Sequence, residues 1–152
     1  MIIPIVRFLL LLTGAMVVGT LFAIWVGADP RGFSYTTFVE QHQAAVRGLN
    51  MVVPVLGLDT ILLTLLLAYL QRAWRSQMVI LFVATGFLLI AGLITHYGNQ
   101  SIDAEVMGWT VDSPPPTWEA LRDRWWQLHM QRLIAGVIGY TLVVIAVLRR
   151  RV

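Results

Sequence analysis

The residues of this chain that could do chemistry gather at one level. Its three histidines, His42, His96 and His129, each stand at or just beyond the same end of a long apolar run. Apolar stretches of that kind gain nothing from an imidazole, so polar groups converging at one depth point to a site. Neutral imidazole acts as a general base near neutral pH and also ligates iron, copper or zinc. Arginines and amides recur beside the histidines at helical spacing. Arg122, Trp125 or Trp126, His129, Arg132 and Gly136 follow steps that put them on one helix face, and Gln43, Arg47, Asn50 and Pro54 do the same. Arginine is costly toward hydrocarbon, so both stripes are expected to face inward. Together with His96 and Asn99 they would enclose a polar pocket. A purely structural hydrogen-bond network is the competing explanation.

The elements that must position these groups are membrane helices. The chain has 152 residues, of which 58% are hydrophobic, too many for a soluble domain of this size. Four apolar runs, at 2–26, 51–70, 78–95 and 133–148, account for it. Each approaches or exceeds the roughly 20 residues that cross a bilayer core. The expected fold is all-α: a single domain over residues 1–152, an integral membrane four-helix antiparallel bundle. Helices two and four are expected to extend beyond the outer membrane face. The first run is longer than the apolar region of a cleaved signal peptide, so it is read as a span.

Charge placement sets the expected orientation. Every basic residue is arginine. Arg72 and Arg75 lie between runs two and three, Arg149, Arg150 and Arg151 lie at the end of the chain, and Arg7 sits near the start. Those segments hold no acid, whereas Asp29, Glu40, Asp103, Glu105, Asp112, Glu119 and Asp123 all fall on the other side. Positive residues stay inside, so both termini are expected in the cytoplasm. The net charge of +3 reflects this bias rather than nucleic-acid binding, and the absence of cysteine excludes disulfides, iron–sulfur clusters and thiolate chemistry.

Local signals refine the elements. Gly14 and Gly19 are expected to let helix one pack closely. Thr37 with Glu40 reads as a capping box that starts helix two, and Pro54 is expected to kink it. Gly98 is expected to stop helix three near His96, which leaves 99–116 as the longest loop, with Thr117 capping helix four. Counting about 1.5 Å per residue puts Asn50, His96, Asn99 and His129 at one depth. Arg132 then lies slightly deeper, Arg47 slightly shallower and His42 roughly two turns further out. Trp25, Trp118 and Trp125 are expected as interfacial anchors. Asp59 falls near the middle of helix two, with Arg132 the nearest cation that could reach it.

Several segments resemble a known family. They are Gly19-Thr20-Leu21-Phe22, the stretch from Phe38 to Gln43 followed by Pro54, Asn99 with Ile102, Trp109, and above all Trp118…Arg122-x-Arg124-Trp125-Trp126-x-x-His129-x-x-Arg132. Together they resemble the small four-helix membrane family that includes the fungal anthrone oxygenases and many bacterial members. His96 departs from that pattern. The resemblance implies a protein of a bacterial inner membrane and an oxygenase or oxidase of a lipophilic phenolic polycycle. Anthrone-like substrates carry an acidic benzylic C–H beside a ketone, and their enolate reacts with dioxygen directly. The protein then needs a base and donors that hold an oxyanion.

Three functional readings follow. In the first, His129 is the base, Arg132, Asn50 and Asn99 hold the oxygen, and Trp126, Arg47, Gln43 and Arg122 bind substrate. No cofactor beyond dioxygen is required, and the partners are the lipid bilayer and a lipophilic small molecule. In the second, His42, His96 and His129, with Glu40, ligate iron, copper or haem, or contact a quinone in a redox subunit. In the third, the chain is a non-enzymatic membrane subunit that uses its glycine-bearing faces to bind a partner or another copy of itself. A transporter is disfavoured, because four helices offer no internal repeat for alternating access.

Overall fold

The computed structural model describes residues 2–149; the basic residues Arg150 and Arg151 lie outside the described residues. The elements in chain order are α1 (Ile2–Gly27), α2 (Tyr35–Leu49), α3 (Val52–Leu70), α4 (Arg75–Leu93), α5 (Gln100–Val106) and α6 (Trp118–Leu148). A short 3₁₀ turn, Pro30–Gly32, joins α1 to α2, and a π-helical segment, Ile94–Asn99, joins α4 to α5 without a break. No strand occurs among the described residues. Four helices are long and apolar enough to cross a membrane.

Threonine hydroxyls on α1, α3 and α4 are satisfied from within their own helices. Thr13 Oγ1 donates to the Leu9 carbonyl, Thr20 Oγ1 to Met16, Thr64 Oγ1 to Thr60 and Thr85 Oγ1 to Leu81. These bonds to the preceding turn let a hydroxyl sit in an apolar environment. The outward faces remain apolar, with Phe8, Val26, Val55 and Leu148 among the exposed side chains. The inward faces meet in a core of Val6, Leu10, Leu67, Ala68, Leu81, Ala84, Leu88, Val143 and Ala146. Arg7 on α1 reaches Gln71 beyond α3, and Thr60 on α3 meets Thr13 on α1 at 3.2 Å. A second cluster forms at the far end of the molecule. Phe38 and Val39 of α2 pack there on Ile102 and Val106 of α5, with Tyr35, Trp109, Trp118 and Trp125 around them.

Glycine serves close approach within the bundle at Gly139 and Gly14. Gly139 of α6 faces Leu88 and the Ala84 carbonyl, and Gly14 of α1 faces the ring of Tyr140. The Tyr140 hydroxyl donates to the Leu11 carbonyl at 2.8 Å, so that ring is held in place. A Cβ at Gly14 would lie 2.6 Å from Tyr140 Cε2, whereas one at Gly19 would meet nothing within 4 Å. Gly14→Ala is therefore expected to lower stability by about 1–3 kcal/mol. Gly19→Ala is expected to be neutral. Thermal unfolding in detergent checks both, and equal midpoints for the two variants would contradict the seating of Tyr140.

The structure corrects the expected elements at three places. The helix read as one long helix two is broken at Asn50–Met51, so α2 and α3 are separate. Pro54 lies in the first turn of α3, where its missing N–H is not needed, and thus begins a helix rather than kinking one. The N-cap of α2 is Ser34, whose Oγ accepts from the Thr37 amide, and not Thr37 with Glu40. Gly98 does not stop the third span. The helix passes through it by widening to a π turn and runs on to Val106, so the expected loop is shortened to 107–117. Gly98 faces Leu128 of α6 instead, with a Cβ distance of 3.0 Å. Thr117 does stand at the N-cap of α6, but its side chain makes no capping bond.

Candidate functional site

The break after α2 positions the site. A helix continuing straight from α3 would carry His42 away from the bundle. Instead α2 folds over the bundle end and packs chiefly against α5 and α3. Phe38, Val39 and His42, spaced by one and four residues, form its buried stripe. The rest of α2 is polar or small apart from Tyr35, Val46 and Leu49, the pattern of an amphipathic helix.

His42 is buried, and its Nε2 lies 2.9 Å from Asp103 Oδ1 on α5. The indole N–H of Trp125 donates to the same oxygen at 2.8 Å. One carboxylate thus collects an imidazole from α2 and an indole from α6. The Trp125 ring lies edge-on to His42, with centroids 5.0 Å apart, and stacks on His129 at 5.5 Å. With Nε2 committed to Asp103, the lone pair of His42 belongs to Nδ1, which makes no hydrogen bond and is not sealed from solvent. An imidazole oriented by a carboxylate, with its second nitrogen open, is the arrangement of a general base.

Arg132 approaches from α6. It is only 8% exposed, and its guanidinium lies over Trp125 at 5.6 Å. Both Nε and Nη2 donate to His129 Nδ1, at 3.3 and 3.1 Å. The ion pairs among the described residues are Asp29–Arg31, His42–Asp103 and Arg122–Asp123, so no carboxylate lies within pairing distance of Arg132. Its Nη1 makes no hydrogen bond and is not sealed off. A desolvated guanidinium with a free donor is a strong attractor for an oxyanion.

His42, Asp103, Trp125 and Arg132 all line one cavity of about 190 Å³, more than ten times the room one ordered water needs. The remaining wall is mostly apolar, including Leu21, Ile24, Phe33, Phe38, Val46 and Val53, with Thr20, Gln41, Asn50, Thr95 and Gln100 as further polar groups. Gln41, Ala45 and Asn50 are both cavity-lining and exposed, so the mouth runs along one side of α2.

Of the residues expected to enclose the pocket, Arg132, Trp125, Asn50, Pro54 and His42 line the cavity and the others do not. His129 is fully buried beneath Arg132. Its Nδ1 is occupied by that guanidinium, and its Nε2 is buried without a hydrogen-bond partner. Asn99 is also fully buried and donates from Nδ2 to the Trp125 carbonyl at 3.1 Å. The π turn rotates it into the contact between α4 and α6. Trp126 stacks on His129 and does not line the cavity, and the Arg31 guanidinium lies over its ring at 5.4 Å. Gln43 holds the loop after α5 through the Val106 and Trp109 carbonyls, and Arg47 donates to Gln43. Arg122 pairs with Asp123 and lies over Trp118.

The depth count misplaced two histidines. His42 joins the site because α2 bends inward, and His96 leaves it. His96 is exposed and meets Gln100 Oε1 at 3.0 Å. No three His, Asp or Glu groups converge to hold a metal among the described residues. Asp59 is half-buried on α3 and makes no ion pair with Arg132. Trp125, expected as an interfacial anchor, is the central ring of the site, while Trp25 stays exposed beside Phe22.

Sequence reasoning missed Asp103, which it assigned to a loop. The signal was present: Asn99, Ile102, Asp103 and Val106 follow the i, i+3, i+4, i+7 pattern of one helix face, and all four are buried. The expected stop at Gly98 hid it. No family model, curated protein or solved structure matches this chain.

Proposed function

We propose that this chain is a membrane-embedded oxygenase of a lipophilic phenolic or polycyclic, anthrone-like substrate. The reading rests on one observation above all: His42 and Arg132 face the same apolar-walled cavity, one with an open nitrogen and the other with an open donor. His42 Nδ1 takes a proton from an acidic, doubly benzylic C–H that is conjugated through the rings with a ketone. The electron pair remains on the substrate as an enolate, whose oxygen accepts from Arg132. Dioxygen then bonds to the carbanion carbon, and the peroxide takes the proton back from His42. Loss of water across the new C–O–O–H unit leaves a ketone, so one dioxygen yields one product carbonyl and one water. Asp103 and Trp125 orient the base.

The setting of this chemistry belongs to the same proposal. The four long helices form an antiparallel bundle in a bacterial inner membrane. The arginine-bearing end, with Arg7, Arg72, Arg75 and Arg149, is cytoplasmic, and the cavity lies near the outer leaflet. Substrate reaches the mouth along α2 from the bilayer. Metal ligation by His42, His96 and His129 is disfavoured because the three rings do not share a site.

The test uses the purified chain in lipid nanodiscs with anthrone as probe. Dioxygen uptake and quinone absorbance are expected to rise together in a one-to-one ratio, above the rate in empty nanodiscs. Uptake no faster than in empty nanodiscs would sink the reading. Loss of activity on dialysis against a chelator would move the chemistry to a bound metal.

A further inference from the structure

One ionisable group inside a span takes no part in the cavity. Asp59 stands in α3, about 10 Å along the axis from one helix end and about 16 Å from the other. In a bilayer that level is well inside the hydrocarbon, which is about 30 Å thick. Its neighbour Thr60 is only 2% exposed and meets Thr13 of α1, so Thr60 marks the inward face of α3. A helix turns by about 100° per residue, which carries Asp59 to the flank. There it is half-buried and shares a ridge with Val55, Leu62 and Leu66, all three exposed.

Asp59 makes no hydrogen bond and no ion pair among the described residues. The chain offers it no cation at that level. It has no lysine. On the helices that flank α3, Arg7 reaches Gln71, about 18 Å along the axis from Asp59, and Arg75 opens α4 at that same end. Arg132 is buried and turned to His129 and the cavity. Ionisable groups within membrane spans almost always face protein or water and find a partner there. A second copy of this chain does not supply one. Copies in one membrane are related by an axis along its normal, so equal depths meet, and each copy brings the same acid between aliphatic residues.

We propose that the face of α3 carrying Val55, Asp59, Leu62 and Leu66 docks a transmembrane helix of another membrane protein, one with an arginine or lysine near the bilayer centre. The basic side chain pairs with Asp59, and apolar residues on the adjoining turns of the partner pack against Val55, Leu62 and Leu66. Opposite charges attract far more strongly in a low-dielectric medium than in water, so one pair selects both the partner and its depth. None of these four residues lines the cavity, so the docking face is independent of the chemistry proposed there.

The chain holds no cysteine, so Ser76→Cys, at an exposed position in the first turn of α4, provides a single labelling site. Energy transfer is measured in phosphatidylcholine vesicles between the labelled full chain and a synthetic helix of about 20 leucines with one central arginine, against an all-leucine reference helix. The arginine helix is expected to associate about tenfold more tightly than the reference. Asp59→Leu is expected to erase that preference and Asp59→Glu to retain it. Asp59→Asn, which keeps the shape of the side chain, is expected to erase it too and serves if the leucine variant does not fold. Equal association of wild type with both helices, or a preference that survives in Asp59→Asn, overturns the proposal. Energy transfer between wild-type copies that vanishes in Asp59→Leu assigns the face to a second copy and overturns it as well.

Discussion

His42→Ala lowers kcat for anthrone-dependent dioxygen uptake by about 10²- to 10⁴-fold, the usual worth of a positioned general base. No other imidazole can take over. His129 is the nearest by ring contact, through Trp125, but its Nδ1 is occupied by Arg132 and its Nε2 is sealed. His96 lies on the surface. Two further variants separate base chemistry from simple loss of packing. Asp103→Asn keeps the shape and one acceptor for the Trp125 indole but removes the carboxylate that orients His42, so kcat falls while KM stays near wild type. His129→Gln keeps an acceptor for Arg132 and retains activity within about tenfold. Full activity in His42→Ala, or a loss in His129→Gln as large as that in His42→Ala, would return the base to His129.

Arg132→Leu separates function from stability. Activity is expected to fall by about 10²- to 10³-fold, since a preorganised donor to the developing oxyanion is removed. Stability is expected to stay close to wild type. In the native protein the guanidinium is buried with no carboxylate within pairing distance, and the desolvation of such a charge costs several kcal/mol. The substitution leaves His129 Nδ1 unpaired, which costs about 1–3 kcal/mol. The nearby Asp103 carboxylate and the face of Trp125 offset part of the first term, so the two terms nearly cancel and removing the guanidinium leaves stability close to wild type. Thermal unfolding of the variant in detergent, read beside its kcat, checks both expectations. A midpoint well below wild type would make Arg132 a structural residue, and unchanged kcat would remove it from the mechanism.

Some parts of the site were legible from residue order because they depend on short-range periodicity. The spacing of Trp125, His129 and Arg132 placed them on one face of α6, and the contacts between Arg132, His129 and Trp125 follow from that spacing alone. The same rule failed on α2. Gln43, Arg47 and Asn50 share a stripe, yet the buried stripe is Phe38, Val39 and His42. Periodicity defines faces, but only the partner decides which face is inside. Here the partner is α5, an element hidden by reading Gly98 as a stop rather than as space for Leu128.

Composition and pattern alone determined that the chain is helical, that four of its helices can cross a membrane, and that its histidines and all of its acids but Asp59 lie toward one end, opposite an arginine-bearing one. These properties follow from transfer of apolar side chains and from backbone self-satisfaction, both local in sequence. Tertiary structure decided which imidazole meets a carboxylate, which arginine lacks one, and where the cavity opens. A break at Asn50–Met51 and a π turn at Ile94–Asn99 set these outcomes. Each changes the direction or register of a helix by a fraction of a turn. Over the length of α2 or α5, that fraction decides whether a side chain enters the cavity, as His42 and Asp103 do, or remains on the surface like His96.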